Sequence, residues 1–82
     1  MKISLKYFAS IREALGSGEV CDTQARTLAA LRDELLARSP AHAQALARGR
    51  AVRMALNQVM CEEAALLTEG AEVAFFPPVT GG

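Results

Sequence analysis

The chain has 82 residues, 51% of them hydrophobic, with nine basic and nine acidic side chains and a formal net charge of zero. That is one domain with an apolar fraction too high for disorder, no basic excess to bind nucleic acid, and no apolar run near the roughly 18 residues that span a bilayer. The start, Met1-Lys2-Ile3-Ser4, has no apolar core of a signal peptide, so a cytoplasmic location is expected.

Lys2 to Ala9 alternates, with Ile3, Leu5, Tyr7 and Ala9 on one face and Lys2, Ser4, Lys6 and Phe8 on the other. This is the period of a strand with one buried face. Ser10 and Glu13 have the spacing of a capping box, which predicts a short helical turn starting at Ser10 and stopped by Gly16. Glu19-Val20-Cys21 is a second strand. Thr27 to Ser39 is the main helix, capped by Thr27. Leu28, Leu31 and Leu35 form its apolar stripe, and Arg32, Asp33, Glu34 and Arg38 are expected on its solvent side. Ser39-Pro40 ends it.

Ala41 to Arg48 is a shorter helix ended by Gly49, and its His42 is expected to be solvated. Val52, Met54 and Leu56 alternate as a strand, Asn57-Gln58 is a turn, and Val59-Met60-Cys61 is a brief strand. Glu62 to Leu67 crosses, with Leu66 or Leu67 inside, and Glu69-Gly70 turns. Glu72 to Phe76 is the last strand, with Val73 and Phe75 on one face and Ala74 and Phe76 on the other. Cys21 and Cys61 are too few for a disulfide framework and lack metal-ligand spacing, so both are expected as small apolar residues and no metal site is expected.

Residues 77–82 form a tail. Pro77 and Pro78 have no backbone N–H and cannot extend a sheet, so the chain should leave residues 1–76 stiff and extended. Six residues reach at most about 20 Å. Val79-Thr80-Gly81-Gly82 then thins to a backbone tip with a free carboxylate, a shape suited to a narrow channel in another protein.

The order β-β-α-(short α)-β-β-β with one main helix on one face is α+β, and it resembles the β-grasp or ubiquitin-like fold, a mixed sheet whose first and last strands lie parallel at its centre. In that layout Phe8 and Phe76 meet on the face away from the helix, as a partner patch. The alternative is that one of the two parities is wrong and that side chain is core.

Ala55-Leu56-Asn57-Gln58, Tyr7-Phe8-Ala9-Ser10-Ile11-Arg12-Glu13 and above all Glu72-Val73-Ala74-Phe75-Phe76-Pro77-Pro78-Val79-Thr80-Gly81-Gly82 carry a resemblance to a family. They resemble the small subunits of molybdopterin synthase, which are ubiquitin-like sulfur carriers. Only the turn residue Ala71 departs from the family's usual pattern. The resemblance implies that Gly82 is adenylated by an E1-like enzyme that uses ATP, is converted to a thiocarboxylate by a sulfur donor protein, and gives its sulfur to cyclic pyranopterin monophosphate in molybdenum cofactor biosynthesis. It also implies a large-subunit partner, in a heterotetramer, into whose active site the tail threads. Phe8, Met60 and Phe76 would dock, Pro77, Pro78, Val79, Thr80 and Gly81 would line the insertion, and the chain itself would bind no cofactor. On this reading the chain donates sulfur within a transferase complex without catalytic machinery of its own. The other readings are a carrier for thiamine synthesis, a ubiquitin-like modifier conjugated to lysines through Gly82, and an interaction domain with an inert tail.

Overall fold

The computed structural model describes residues 1–78. Val79, Thr80, Gly81 and Gly82, and with them most of the expected tail, lie outside the described residues. The elements run β1 (Lys2–Tyr7), α1 (Ala9–Leu15), β2 (Gly18–Asp22), α2 (Leu28–Leu36), α3 (Pro40–Ala45), β3 (Arg53–Leu56), β4 (Val59–Cys61) and β5 (Glu72–Phe76). The five strands form one sheet in the order β2-β1-β5-β3-β4. β1 and β5 pair in parallel, with Tyr7 opposite Phe75, and all other pairs are antiparallel. This is the β-grasp arrangement expected from the element order.

The alternation of β1 holds: Ile3, Leu5 and Tyr7 are buried, as are Val73 and Phe75 beside them. Against this face α2 lays Leu28, Leu31 and Leu35, all fully buried. Each such side chain stabilises the fold by about 1.5–3 kcal/mol through area removed from water. The Tyr7 and Phe75 rings stack, with centroids 6.2 Å apart and planes at 25°. Leu67, not Leu66, is the anchored residue of the crossing segment.

Four local expectations are corrected. Ala9 does not extend β1; it is exposed and opens α1 at φ 52. Ser10 is therefore inside the helix and makes no capping box with Glu13. The N-cap is Phe8, without a side-chain cap, and the Phe8 carbonyl accepts from the Ile11 and Arg12 N–H groups.

Arg32 is not on the solvent side of α2; it is 3% exposed. Its Nε donates to the Leu46 carbonyl at 2.8 Å and an Nη to the Ala47 carbonyl at 3.1 Å, with Glu63 at 3.8 Å. The guanidinium thus satisfies carbonyls at the end of α3 that packing hides from water. His42 is not solvated either. Ser39 caps α3 through its Oγ, and the same hydroxyl meets His42 Nδ1 at 2.7 Å, while Nε2 lies 3.3 Å from Glu19 Oε2. The short helix begins at Pro40, the position where a missing N–H costs nothing.

The β3–β4 hairpin turns on two residues, Asn57 at φ 50 and Gln58 at φ 69. Asparagine tolerates this left-handed backbone, and Asn57 also accepts through Oδ1 from the Glu72 N–H at 2.9 Å, which ties the hairpin to the start of β5. Glutamine at the second position has no such compensation. Gln58→Gly is expected to stabilise the domain by about 0.5 kcal/mol, because a left-handed conformation costs a residue with a Cβ more than glycine loses in entropy. The thermal midpoint should rise by about 2–4 °C. A fall would show that the Gln58 side chain makes a contribution larger than the strain.

Candidate functional site

The root of the tail stands at the centre of the sheet. Phe76 is the last residue of β5, opposite Arg53 of β3, and the Phe8 N–H donates to the Phe75 carbonyl at 3.1 Å. The chain is thus held by a neighbouring strand on each side until two residues before Pro78. Pro77 and Pro78 are half-buried, and Pro77 borders a hollow of about 130 Å³ with Ser10, Ile11, Ala45 and Arg50.

The sheet face away from α2 is open. Parallel pairing of Tyr7 with Phe75 puts Phe8 and Phe76 at neighbouring positions on it, because Phe8 keeps an extended backbone (φ −130, ψ 157) and so continues the alternation of β1. Phe8 is 45% exposed and Phe76 half-buried. One row below, the register runs Lys6, Ala74, Ala55, Met60 across four strands, and Met60 is 58% exposed. The two alanines form a low floor between the larger side chains. Phe8, Met60 and Phe76 therefore share one face, and Arg53 joins them at its corner. Gly82, Gly81, Thr80 and Val79 lie outside the described residues.

This face can bury apolar area against another protein, since a central patch of aromatic and methionine side chains is the composition of an interface core. Among the described residues no group of three or more His, Cys, Asp or Glu side chains is placed to hold a metal ion. Burial pushes the Cys61 thiol up, and burial, with Glu19 and Glu34 adding to it against Arg38, does the same to Cys21. Both thiols are thereby kept protonated, the opposite of an activated nucleophile. Among the described residues no helix is long and apolar enough to cross a membrane.

A polar cluster beneath the tail root escaped the sequence reading. Tyr7 Oη donates to Glu19 Oε2 at 3.0 Å, His42 Nε2 meets the same oxygen, and Arg38 pairs with Oε1. Glu19 so joins β1, β2, the end of α2 and α3 at one carboxylate. Burial pushes the Tyr7 hydroxyl far up, and the Glu19 charge and hydrogen bond push it further. Burial raises Glu19 as well, but bonds from His42 and Tyr7 and the Arg38 charge outweigh it and hold the carboxyl below its usual range. Tyr7, Glu19 and the Arg38/His42 pair are distant from one another in sequence and share no period. Their one signal was a tyrosine at core-facing parity, whose hydroxyl needs a partner when its ring is buried.

Comparison with known proteins followed the same direction. A family model described as the ThiS family matches residues 5–82. The molybdopterin synthase sulfur carrier subunit of Escherichia coli (strain K12) is 42% identical over 82 residues, covering 98% of this chain and 99% of the relative. The protein of the same name from Haemophilus influenzae is 33% identical over 81 residues, with 98% and 99% covered. Among solved structures, a candidate molybdopterin converting factor subunit 1 from Pyrococcus furiosus superimposes with a TM-score of 0.79 at 27% identity, over 96% of this chain and 99% of that one.

The Glu19 cluster gives a pH-dependent prediction. A carboxyl whose folded-state pKa is depressed adds stability above its unfolded pKa and loses it as pH falls through the folded value. Glu19→Gln should therefore lower the melting temperature most near neutral pH, and the gap to the parent should close on acidification below the ordinary carboxylate range. A gap that stays constant from pH 7 to the acid limit would show that the Glu19 charge does not stabilise the cluster.

Proposed function

The chain belongs to the ThiS family, and from that premise we propose that it is the sulfur carrier subunit of a molybdopterin synthase. The observation that carries this reading is the 42% identity to a molybdopterin synthase sulfur carrier subunit across 98% of this chain and 99% of the relative. The Phe-Phe-Pro-Pro stem of residues 75–78 favours this pathway over thiamine synthesis. The names of both curated relatives favour delivery of sulfur over conjugation to lysines.

On this proposal Gly82 is the working residue. A carboxylate is a poor electrophile: its charge repels nucleophiles and oxide leaves badly. Attack of a carboxylate oxygen on the α-phosphorus of ATP, with release of pyrophosphate, gives an acyl adenylate whose leaving group is AMP. The terminal sulfur of a donor-protein persulfide then adds at the Gly82 carbonyl and expels AMP, and a thiol cleaves the resulting acyl disulfide, forming a disulfide with the donor sulfur and leaving a thiocarboxylate on Gly82. ATP is consumed by an E1-like partner, and this chain holds no cofactor of its own.

The carrier then docks on the large subunit of the synthase, two of each forming a heterotetramer. Phe8, Met60 and Phe76 take the contact. Pro77, Pro78, Val79, Thr80 and Gly81 enter the partner's channel, the thiocarboxylate sulfur attacks the pyranopterin substrate, and water cleaves the resulting thioester, leaving the sulfur on the substrate and returning Gly82 as the carboxylate. Tethering raises the effective concentration of the sulfur at its acceptor. The proline stem reduces the ordering lost on insertion, and the absence of Cβ atoms at Gly81 and Gly82 allows close approach of the backbone.

Two variants separate delivery from docking. Deletion of Gly81 and Gly82 should abolish molybdopterin formation in a reconstituted synthase while the melting temperature and large-subunit binding survive; an active truncated protein would refute the proposal. Phe76→Asp should weaken large-subunit binding by tenfold or more, about 1.4 kcal/mol, and lower the melting temperature only slightly, because its side chain is on the open face. Collapse of the fold would place Phe76 in the core instead.

A further inference from the structure

Two charges at the tail root enter no ion pair among the described residues. Arg53 opens β3, is exposed, and stands opposite Phe76 on the open face. Arg50 is exposed on the loop before β3 and borders the same hollow as Pro77, on the side of α1 and α3. Its guanidinium donates only to the Gln44 carbonyl, at 3.3 Å. Neither arginine enters an ion pair among the described residues. Of the other charges nearby, Lys6 pairs with Glu72, Arg38 with Glu19, and Arg48 with Asp33 and Glu63, whereas Arg12, exposed on α1 next to the Ile11 that lines the same hollow, enters no ion pair among the described residues. Glu62 borders a cleft of about 430 Å³ together with Arg53 but does not pair with it.

We propose that Arg50 and Arg53 form a cationic collar around the tail root that meets acidic side chains at the mouth of the channel by which the synthase's large subunit admits the tail. This rests on the delivery reading above and adds the chemistry of the surface around that mouth. The position carries the argument. A protein that takes in the tail must close on this end of the sheet, where Pro77 leaves with Arg53 on one flank and Arg50 on the other. A guanidinium carries a fixed positive charge at physiological pH and presents a planar fork that fits a carboxylate. Without a carboxylate partner among the described residues, the pair can act between molecules. Placed beside the patch rather than within it, the pair should act on encounter: rim charges govern association rate and its salt dependence, while the buried apolar centre governs dissociation.

The test is association of the carrier with the purified large subunit, followed by stopped flow at low and high salt, about 0.05 M and about 0.5 M. Arg53→Glu combined with Arg50→Glu should slow association about tenfold at low salt and less than about twofold at high salt, with dissociation little changed. Arg26→Glu provides a reversal at the opposite end of the sheet, on the loop after β2 whose end pairs with Lys2, and should have little effect. Melting curves of all variants should match the parent, since these side chains are exposed. Unchanged or faster association of the double variant would overturn the collar, as would an equal slowing by Arg26→Glu, which would reduce the effect to net charge. Slowing seen only with the adenylating enzyme would also overturn it, by assigning the acidic surface to that partner. Phe76→Asp keeps the two claims apart: if it breaks docking while the arginine reversals do nothing, only the collar fails, and if it too has no effect, the docking face itself is wrong.

Discussion

Everything at the working end of this molecule depends on the parallel pairing of the first and last strands. That pairing is non-local, joining Ser4–Tyr7 to Glu72–Phe75 across most of the chain. Parallel strands need a crossover, and here the whole intervening chain, with α2 packed across the sheet, supplies it. The register sets two things at once. Core-facing parity stacks Tyr7 on Phe75, and the opposite parity sets Phe8 beside Phe76 in the open. A slip of one residue would exchange these roles, burying the patch and exposing the core.

The same pairing determines where the tail begins. β5 lies between β1 and β3, so Phe75 is paired on both sides and Phe76 with Arg53 before the prolines end the ladder. A tail launched from an edge strand would inherit that strand's fraying. One launched from the middle of the sheet starts from a fixed point. The Glu19 carboxylate reinforces this from below by tying the Tyr7 hydroxyl to α3 and the end of α2. On the proposed function the molecule divides accordingly: one sheet face stabilises, the other would meet partners, and the end of the central strand would deliver.

The sequence made much of this legible because simple periods coincide with simple burial. The alternation of Ile3, Leu5 and Tyr7, the Leu28-Leu31-Leu35 stripe and the Phe76-Pro77-Pro78 transition each report one local rule. The failures were of two kinds. Arg32 lies four residues after Leu28, so helix geometry already put it on the apolar face; its charge suggested solvent, and only the carbonyls of Leu46 and Ala47 explain why a guanidinium is tolerated there. The Tyr7–Glu19–Arg38–His42 cluster has no period at all, since it is assembled by four elements that meet only in the folded chain. Ser10 looked like a cap because spacing alone cannot show that Ala9 takes a left-handed backbone and starts the helix two residues early, with Phe8 as the N-cap.

The chemistry assigned to this chain comes down to one group that it presents and its partners activate, the carboxylate of Gly82. Intact-mass measurement of the protein isolated from cells that make molybdopterin, followed by fragmentation, tests this most directly. The account predicts a population heavier by the replacement of one oxygen with sulfur, with the added mass confined to Gly82 and lost when the adenylating enzyme is absent. A protein found only as the carboxylate under those conditions, or joined through Gly82 to lysines of other proteins, would contradict it.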